Sequence, residues 1–408
     1  MQTNLSEGIR QSDNAIEIET ILRACVHCGF CNATCPTYQI RGDELDGPRG
    51  RIYQMKQYFE GAKANSDLLT HLDRCLTCRS CETTCPSGVK YSRLLEIGRH
   101  QIETDLPRPF LDRLKRRIIV SYINSGWFFN ANLRLAQSFS SILPATLRKN
   151  IPQRQALIPM QIQTKNRKVL MLKGCVQQSL TPNTNRAVAN LLQAMDIEMI
   201  EMPANQCCGA AASHTSDPET GLQQARHLID LWWPTIESGV EAILVSATGC
   251  GVTVKDFSHM FATDPAYADK AKTVTSLFRD VVEVVEENMD RLKFSGKPIT
   301  ENRIAFHTPC SMQHGLGLNH RVEKLLTQAG FQICPVADGH LCCGSAGTYS
   351  MLQPELSANL RDRKQKALQI SYPEIIATAN VGCQVHLANG LDLPVVHWTE
   401  LLYKASSR

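Results

Sequence analysis

The 408-residue sequence predicts an α plus α/β protein, in which a helical, cysteine-rich N-terminal block precedes a duplicated α/β domain. Three observations carry that expectation. Two four-cysteine runs lie within the first hundred residues, joined by helix-patterned sequence. Beyond residue 168, six apolar runs of strand character alternate with amphipathic helical patterns, as in a parallel sheet flanked by helices. The cysteines of that second part recur at an offset of 135 residues, which marks a duplication.

The first block, 1–105, opens with Cys25-Val-His-Cys28-Gly-Phe-Cys31-Asn-Ala-Thr-Cys35-Pro36 and closes with Cys75-Leu-Thr-Cys78-Arg-Ser-Cys81-Glu-Thr-Thr-Cys85-Pro86. Both runs have the C-x2-C-x2-C-x3-C-P spacing of bacterial ferredoxins. A short loop sets three thiolates on one face of a cubane, and the fourth cysteine, at the start of a departing helix, serves the other cluster. The expected [4Fe–4S] ligand sets are therefore crossed: Cys25, Cys28, Cys31 and Cys85 for one, and Cys75, Cys78, Cys81 and Cys35 for the other. Zinc prefers two separated pairs to four-cysteine runs ending in Cys-Pro. The 39 residues between the runs leave room for two helices, RGRIYQMKQYFEGAK and SDLLTHLDR, with Gly61 as a stop and Ser66 as an N-cap. In this the block resembles the α-helical ferredoxin domain of fumarate reductase iron–sulfur subunits.

A basic helical linker is expected over 106–167, with the amphipathic stretches PFLDRLKRRIIVSYI and NLRLAQSFSSIL broken by prolines. Over 106–168 twelve Lys or Arg stand against one acid, Asp112, so the formal charge of +4 hides a strongly basic segment. No nucleic-acid recognition motif accompanies those charges, and nucleic acid is not expected as a partner.

The two repeats are expected over 168–300 and 301–408. The first copy carries Cys175, Cys207-Cys208-Gly209 and Gly249-Cys250. The second carries Cys310, Cys342-Cys343-Gly344 and Gly382-Cys383. In both, 31 residues separate the first cysteine from the pair. Each cysteine follows a strand-like run (KVLMLKGC, IEMIEMPANQCC and AILVSATGC, then RIAFHTPC, FQICPVADGHLCC and EIIATANVGC), so all should gather at the carboxyl ends of parallel strands. Four thiolates per copy suffice for a further iron–sulfur cluster or a zinc ion; the alternatives are buried thiols or a redox disulfide. Cys334 falls inside a strand and reads as a core thiol, and His214, His307, His314 and His340 are nearby auxiliary candidates.

The N-terminus lacks a basic and apolar export signal, and no apolar run is long enough to span a bilayer. Thiolate ligands suit a reducing compartment, so a cytoplasmic location is expected; the basic segment is open to two roles, peripheral attachment to the inner face of the cell membrane, or inter-helix packing and docking to an acidic partner subunit. With no dinucleotide fingerprint, no P-loop and no acid–base constellation, no catalytic residue is expected here. Substrate chemistry should then lie on another subunit.

The double pattern in the second half resembles the cysteine-rich CCG domain of heterodisulfide reductase subunits and their relatives. That resemblance implies iron–sulfur ligation by Cys175, Cys207, Cys208 and Cys250, and by Cys310, Cys342, Cys343 and Cys383, giving one or two further clusters. The third element is a single cysteine where the fullest family pattern has CxxC, so each copy offers four thiolates rather than five. Over its whole length the chain resembles the iron–sulfur subunits of bacterial glycolate oxidase, through ILRACVHCGFCNATCPTYQ, GDELDGPRGRIYQMK, HLDRCLTCRSCETTCPSGV, DGHLCCGSAGTY and ATANVGCQVHL. This implies an electron-transfer subunit of an oxidoreductase: an FAD-bearing partner oxidises glycolate to glyoxylate, and this chain hands the electrons to a quinone or other acceptor. A disulfide reductase subunit, or the iron–sulfur subunit of a lactate or glycerol-3-phosphate dehydrogenase, remains the alternative.

Overall fold

A computed structural model describes residues 1–140, 142, 144, 151–160, 163–203, 207–294 and 301–406. Arg148 and Lys149 of the basic segment, the end of the NLRLAQSFSSIL stretch and the 204–206 approach to Cys207 lie outside the described residues. The chain gathers into two compact units, one of Met1–Arg116 with His340–Lys364 and one of Arg117–Gly339 with Gln365–Arg408.

The first unit is helical. Helices Ala15–Ala24, Pro48–Phe59, Ser66–Asp73 and Tyr91–Asp105 bury Ile18, Leu22, Met55, Phe59, Leu72 and Leu94 in one core. The two helices expected between the cysteine runs are therefore present, and the first ends ahead of Gly61, which takes φ +107°. The cap of the second differs by one residue. Asn65, not Ser66, is the N-cap, because its extended backbone lets Oδ1 accept the Leu68 N–H at 2.8 Å. The 340–364 segment is tied to this block where Tyr349 Oη donates to the Arg74 carbonyl at 3.0 Å.

The second unit holds two four-stranded sheets, all pairings parallel. The first comprises β1 (Arg167–Leu172), β2 (Ile197–Ile200), β3 (Ala242–Val245) and β4 (Phe278–Asp280), in the order β2-β1-β3-β4. The second comprises β5 (Arg303–His307), β6 (Gln332–Cys334), β7 (Ile375–Thr378) and β8 (Val395–His397), in the order β6-β5-β7-β8. The two orders are identical once offset, so the duplication read from the cysteines extends to topology. Strand β3 is buried along its whole length: Ala242 and Leu244 face a core shared with Ile304 and Ala377, while Ile243 and Val245 pack with Leu228 and Trp232 of helix Pro218–Glu237. Burial on both faces explains why these strands read as continuous apolar runs. The α plus α/β plan is the one predicted, and Cys334 ends β6 as a buried thiol.

Candidate metal centres

Local backbone geometry builds the first pair of sites. In both four-cysteine runs the residue before the second cysteine and the residue after it take left-handed φ: His27 and Gly29 in the first, Thr77 and Arg79 in the second. The loop thereby curls back on itself, and a short helix (Phe30–Ala33 or Ser80–Thr84) follows. Cys35 is the N-cap of helix Pro36–Arg41, with Pro36 at the first helical position, where a missing N–H costs nothing. Cys85 departs from the expectation that the fourth cysteine starts a helix. It ends Ser80–Thr84, and a turn with Gly88 at φ +64° intervenes before Tyr91–Asp105.

One recess is lined by Cys25, Cys28, Cys31 and Cys85, together with Val26, Phe30, Pro48 and Ile52; Cys81 also reaches it. Burial pushes the Cys31 thiol up to about 11, and the neighbouring Cys25, Cys85 and Cys28 add to the rise. Cys81 is driven well above the ordinary thiol range, first by burial and then by Cys78, Cys75 and Cys35. The thiols thus fall into two crowded groups, each completed by the fourth cysteine of the other run. Crowding of this kind suppresses ionisation unless a cationic core compensates, and a bound metal deprotonates its thiols outright. The donor sets fit thiolate-bound cubanes.

The second group is the more enclosed. Cys35 and Cys81 are buried, whereas Cys28 is exposed and flanked by exposed Val26 and Phe30. Tyr91 Oη lies 3.6 Å from Cys75 Sγ, and Thr37 Oγ1 lies 3.3 Å from Cys35 Sγ.

In the second unit, Cys175, Cys207, Cys208 and Cys250 form one chain of hydrogen-bonded thiols. Bonds from Cys207 and Cys250, the Ala210 N–H and the Thr253 side chain hold Cys208 well below the ordinary thiol range; Cys207 is raised by its bonds with Cys175 and Cys208, and Cys250 by its bond with Cys208 and by burial. Cys175 and Cys250 lie just beyond β1 and β3, Cys250 within helix Thr248–Lys255, as the strand-end rule predicts. Gly209 takes φ +90°, turns its N–H onto Cys207 Sγ at 3.5 Å, and sits where a Cβ would strike the Gly221 carbonyl.

In the second copy, Gly344 (φ +88°) turns its N–H onto Cys342 Sγ at 3.4 Å, and a Cβ there would come 2.7 Å from the Ser357 carbonyl. Cys342 and Cys343 are buried in the first unit. Cys310, just past β5, and Cys383, buried in helix Val381–Ala388, belong to the second, where Asn380 Nδ2 donates to Cys383 Sγ at 3.6 Å. His307 is buried at the end of β5.

Sequence reasoning missed the polar surroundings of the cysteines. Asp46, with no exposed surface, is within 3.6 Å of Arg41, Arg51, Arg74 and His71, in the stretch read only as GDELDGPRGRIY. The signal available was the density of charge in a segment the burial pattern encloses.

Together, thiol groups and folds define an iron–sulfur protein built from a two-cluster helical domain and two cysteine-rich α/β domains. Residues 21–89 match the family described as "4Fe-4S dicluster domain", and residues 169–255 and 304–388 both match "CCG: Cysteine-rich domain". The chain is 48% identical to "Glycolate oxidase iron-sulfur subunit" of Escherichia coli (strain K12), over 99% of both chains. It is 29% identical to "Probable glycolate oxidase iron-sulfur subunit" of Bacillus subtilis (strain 168), over 94% of this chain and 93% of that one. It is 24% identical to "Lactate utilization protein A" of the same B. subtilis strain, over 58% of this chain and 98% of the other. The chain belongs to the family of glycolate oxidase iron–sulfur subunits. Among the described residues no helix is long and apolar enough to cross a membrane.

Proposed function

We propose that this chain is the electron conduit of a multi-subunit glycolate oxidase. A flavin subunit oxidises glycolate to glyoxylate, and this chain accepts the electrons singly and delivers them to a quinone or other acceptor. Cys25, Cys28, Cys31 and Cys85 hold one [4Fe–4S] cluster, and Cys75, Cys78, Cys81 and Cys35 hold the other. Cys175, Cys207, Cys208 and Cys250, with Cys310, Cys342, Cys343 and Cys383, hold one or two further centres. The division at 105, 167 and 300 separates the two-cluster domain, the basic linker and the two repeats. The basic linker seats the chain peripherally on the inner face of the cell membrane.

One observation carries the reading: the fourth cysteine of each run joins the other run's thiols, Cys85 in the recess of Cys25, Cys28 and Cys31, and Cys35 beside Cys81. Shared loops bring two clusters close enough for electron passage, and a chain with no substrate chemistry of its own needs such passage. The test is iron and acid-labile sulfide per chain on anaerobically purified protein, with EPR during stepwise reduction. About eight irons support two cubanes alone, and twelve to sixteen add centres at the repeats. Four or fewer, with zinc in their place, overturn the conduit. Reconstitution with the flavin subunit then checks the substrate: glycolate must reduce the clusters.

A further inference from the structure

The buried charge around Asp46 lies on one side of the two cysteine groups. Its Oδ1 is 2.9 Å from His71 Nδ1 and 3.6 Å from Arg51 Nη2, and its Oδ2 accepts from Arg74 Nη1 at 3.0 Å and lies 3.0 Å from Arg41 Nε. Arg51, 1% exposed, also donates from Nε to the His71 carbonyl at 2.7 Å and from both terminal nitrogens to Thr37 Oγ1 at 3.2 Å. Thr37 in turn donates to the Asp46 carbonyl at 2.9 Å and touches Cys35 Sγ. One carboxylate therefore faces three guanidinium groups. Burial opposes the charge on Arg51, but the sulfurs of Cys75 and Cys35, with Tyr91 and Asp46, more than offset it. Arg74 directly precedes Cys75, and Arg99 Nη2 donates to the Cys75 carbonyl at 3.4 Å. The acids on this side are Asp43, whose carboxylate lies within 4.8 Å of the Asp46 carboxylate and the His71 ring, and Glu82, next to Cys81 and bonded to the Ser92 N–H at 2.6 Å; against Asp43, Asp46 and Glu82 stand Arg41, Arg51, Arg74 and Arg99, so one positive charge remains in excess.

The other group stands outside this network. There Arg49 is paired with Glu44 at 2.6 Å, Glu44 also accepts from Asn32 Nδ2 at 2.8 Å, and the Met1 ammonium donates to the Cys25 carbonyl at 2.6 Å.

We propose that the Arg51–Asp46 network sets the reduction potential of one cluster only, raising that of the centre held by Cys75, Cys78, Cys81 and Cys35. The inference rests on the ligand sets proposed above. A thiolate-bound cubane that takes one electron gains one negative charge and needs no proton. A fixed cation that water cannot screen stabilises that reduced form. Asp46 holds the guanidinium groups in place without neutralising them, since a lone buried cation is costly.

The test is an EPR-monitored redox titration of the anaerobically purified full chain, with Arg51→Met, Arg51→Lys, Asp46→Asn and Arg41→Gln. Arg51→Met should lower the reduced fraction of this cluster at the wild-type midpoint by cutting its reduced-to-oxidised ratio about tenfold, a downward shift of about 59 mV for one electron. Arg51→Lys, which keeps the charge, should restore most of that fraction. Asp46→Asn should move the midpoint upward, and the other cluster should stay put in every variant. Arg41, whose side chain is 39% exposed, supplies a variant that folds whatever happens to the buried ones; Arg41→Gln should shift the midpoint down by less than Arg51→Met. Unmoved midpoints in Arg41→Gln and in every variant that loads both clusters overturn the proposal, as do shifts of one sign in Arg51→Met and Asp46→Asn. If the wild-type chain carries no cluster that Cys75→Ser removes, the ligand reading itself fails and takes this inference with it.

Discussion

Crossed ligation makes a prediction at single cysteines that an uncrossed arrangement does not share. Cys85 lines the recess of Cys25, Cys28 and Cys31, although it lies in the sequence with Cys75, Cys78 and Cys81. Cys85→Ser should therefore alter the EPR signal that Cys28→Ser alters, and Cys35→Ser the signal that Cys78→Ser alters. If each run's four serines all perturb one and the same signal, ligation is not crossed. Away from the cysteines, Glu400 is a residue-scale test of buried charge. Burial raises its pKa to about 7, against bonds from the Thr184 hydroxyl at 2.9 Å and the His397 backbone. A folded-state value above the unfolded one means the native chain holds the extra proton. That contribution is fully present below about pH 4.5 and is lost as pH rises through 7. Glu400→Gln removes the titration while keeping the acceptor for Thr184. Its unfolding free energy from urea titration should match wild type at pH 4 and exceed it at pH 8, by roughly 2–3 kcal/mol. An equal gap at both pH values would assign the effect to packing.

At the scale of elements, the glycine of each Cys-Cys-Gly triplet explains why the motif is built as it is. Gly209 and Gly344 share a left-handed φ near +90°, an N–H aimed at the first sulfur of the pair, and a neighbouring carbonyl where a side chain would go. Alanine at either position combines left-handed strain with a backbone clash and should cost ~2–4 kcal/mol. Thermal unfolding of Gly209→Ala and Gly344→Ala, with the metal content of each, checks this; a Tm within a degree of wild type would mean that the turn relaxes freely. Much at this scale was legible in advance, because strands buried on both faces leave apolar runs and capped helices leave periodic ones. The Ser66 cap was misplaced by one residue since two good capping side chains stand side by side, and backbone geometry chose Asn65. The turn after Cys85 was hidden because Cys-Pro ends both runs alike. Their continuations differ: a helix begins at Pro36, whereas the chain turns through Gly88 after Pro86. The Asp46 network was not legible, since Arg41, Arg51, His71 and Arg74 come from separate segments and their convergence depends on packing.

At the scale of the whole molecule, the grouping of His340–Lys364 with Met1–Arg116 has no local signature, because it depends on long-range contacts such as Tyr349 to Arg74. The uneven charge along the chain, in contrast, was plain in the sequence, and the structure sorts it. Arg108 and Arg116 are buried and spent on Asp73, with Glu103 and Asp112 completing the network. Arg113, Lys115 and Arg117 remain exposed on helix Phe110–Asn124. On the same helix Leu111, Leu114, Ile118 and Tyr122 stand three or four residues apart on one exposed face, and Trp127 comes next at 75% exposure. An amphipathic helix that shows water both large apolar residues and positive charge suits an anionic lipid surface. There each Lys or Arg contributes about 1 kcal/mol and the apolar side chains enter the headgroup boundary. The full chain should therefore sediment with vesicles containing anionic lipid but not with neutral ones, and added salt should weaken the binding. Arg113→Glu/Lys115→Glu/Arg117→Glu should abolish it while leaving iron content and EPR unchanged, because none of the three touches a cysteine group. If wild-type protein ignores anionic vesicles while the triple variant loses its flavin partner on purification, the face belongs to the partner subunit and the electron acceptor must be reached from elsewhere.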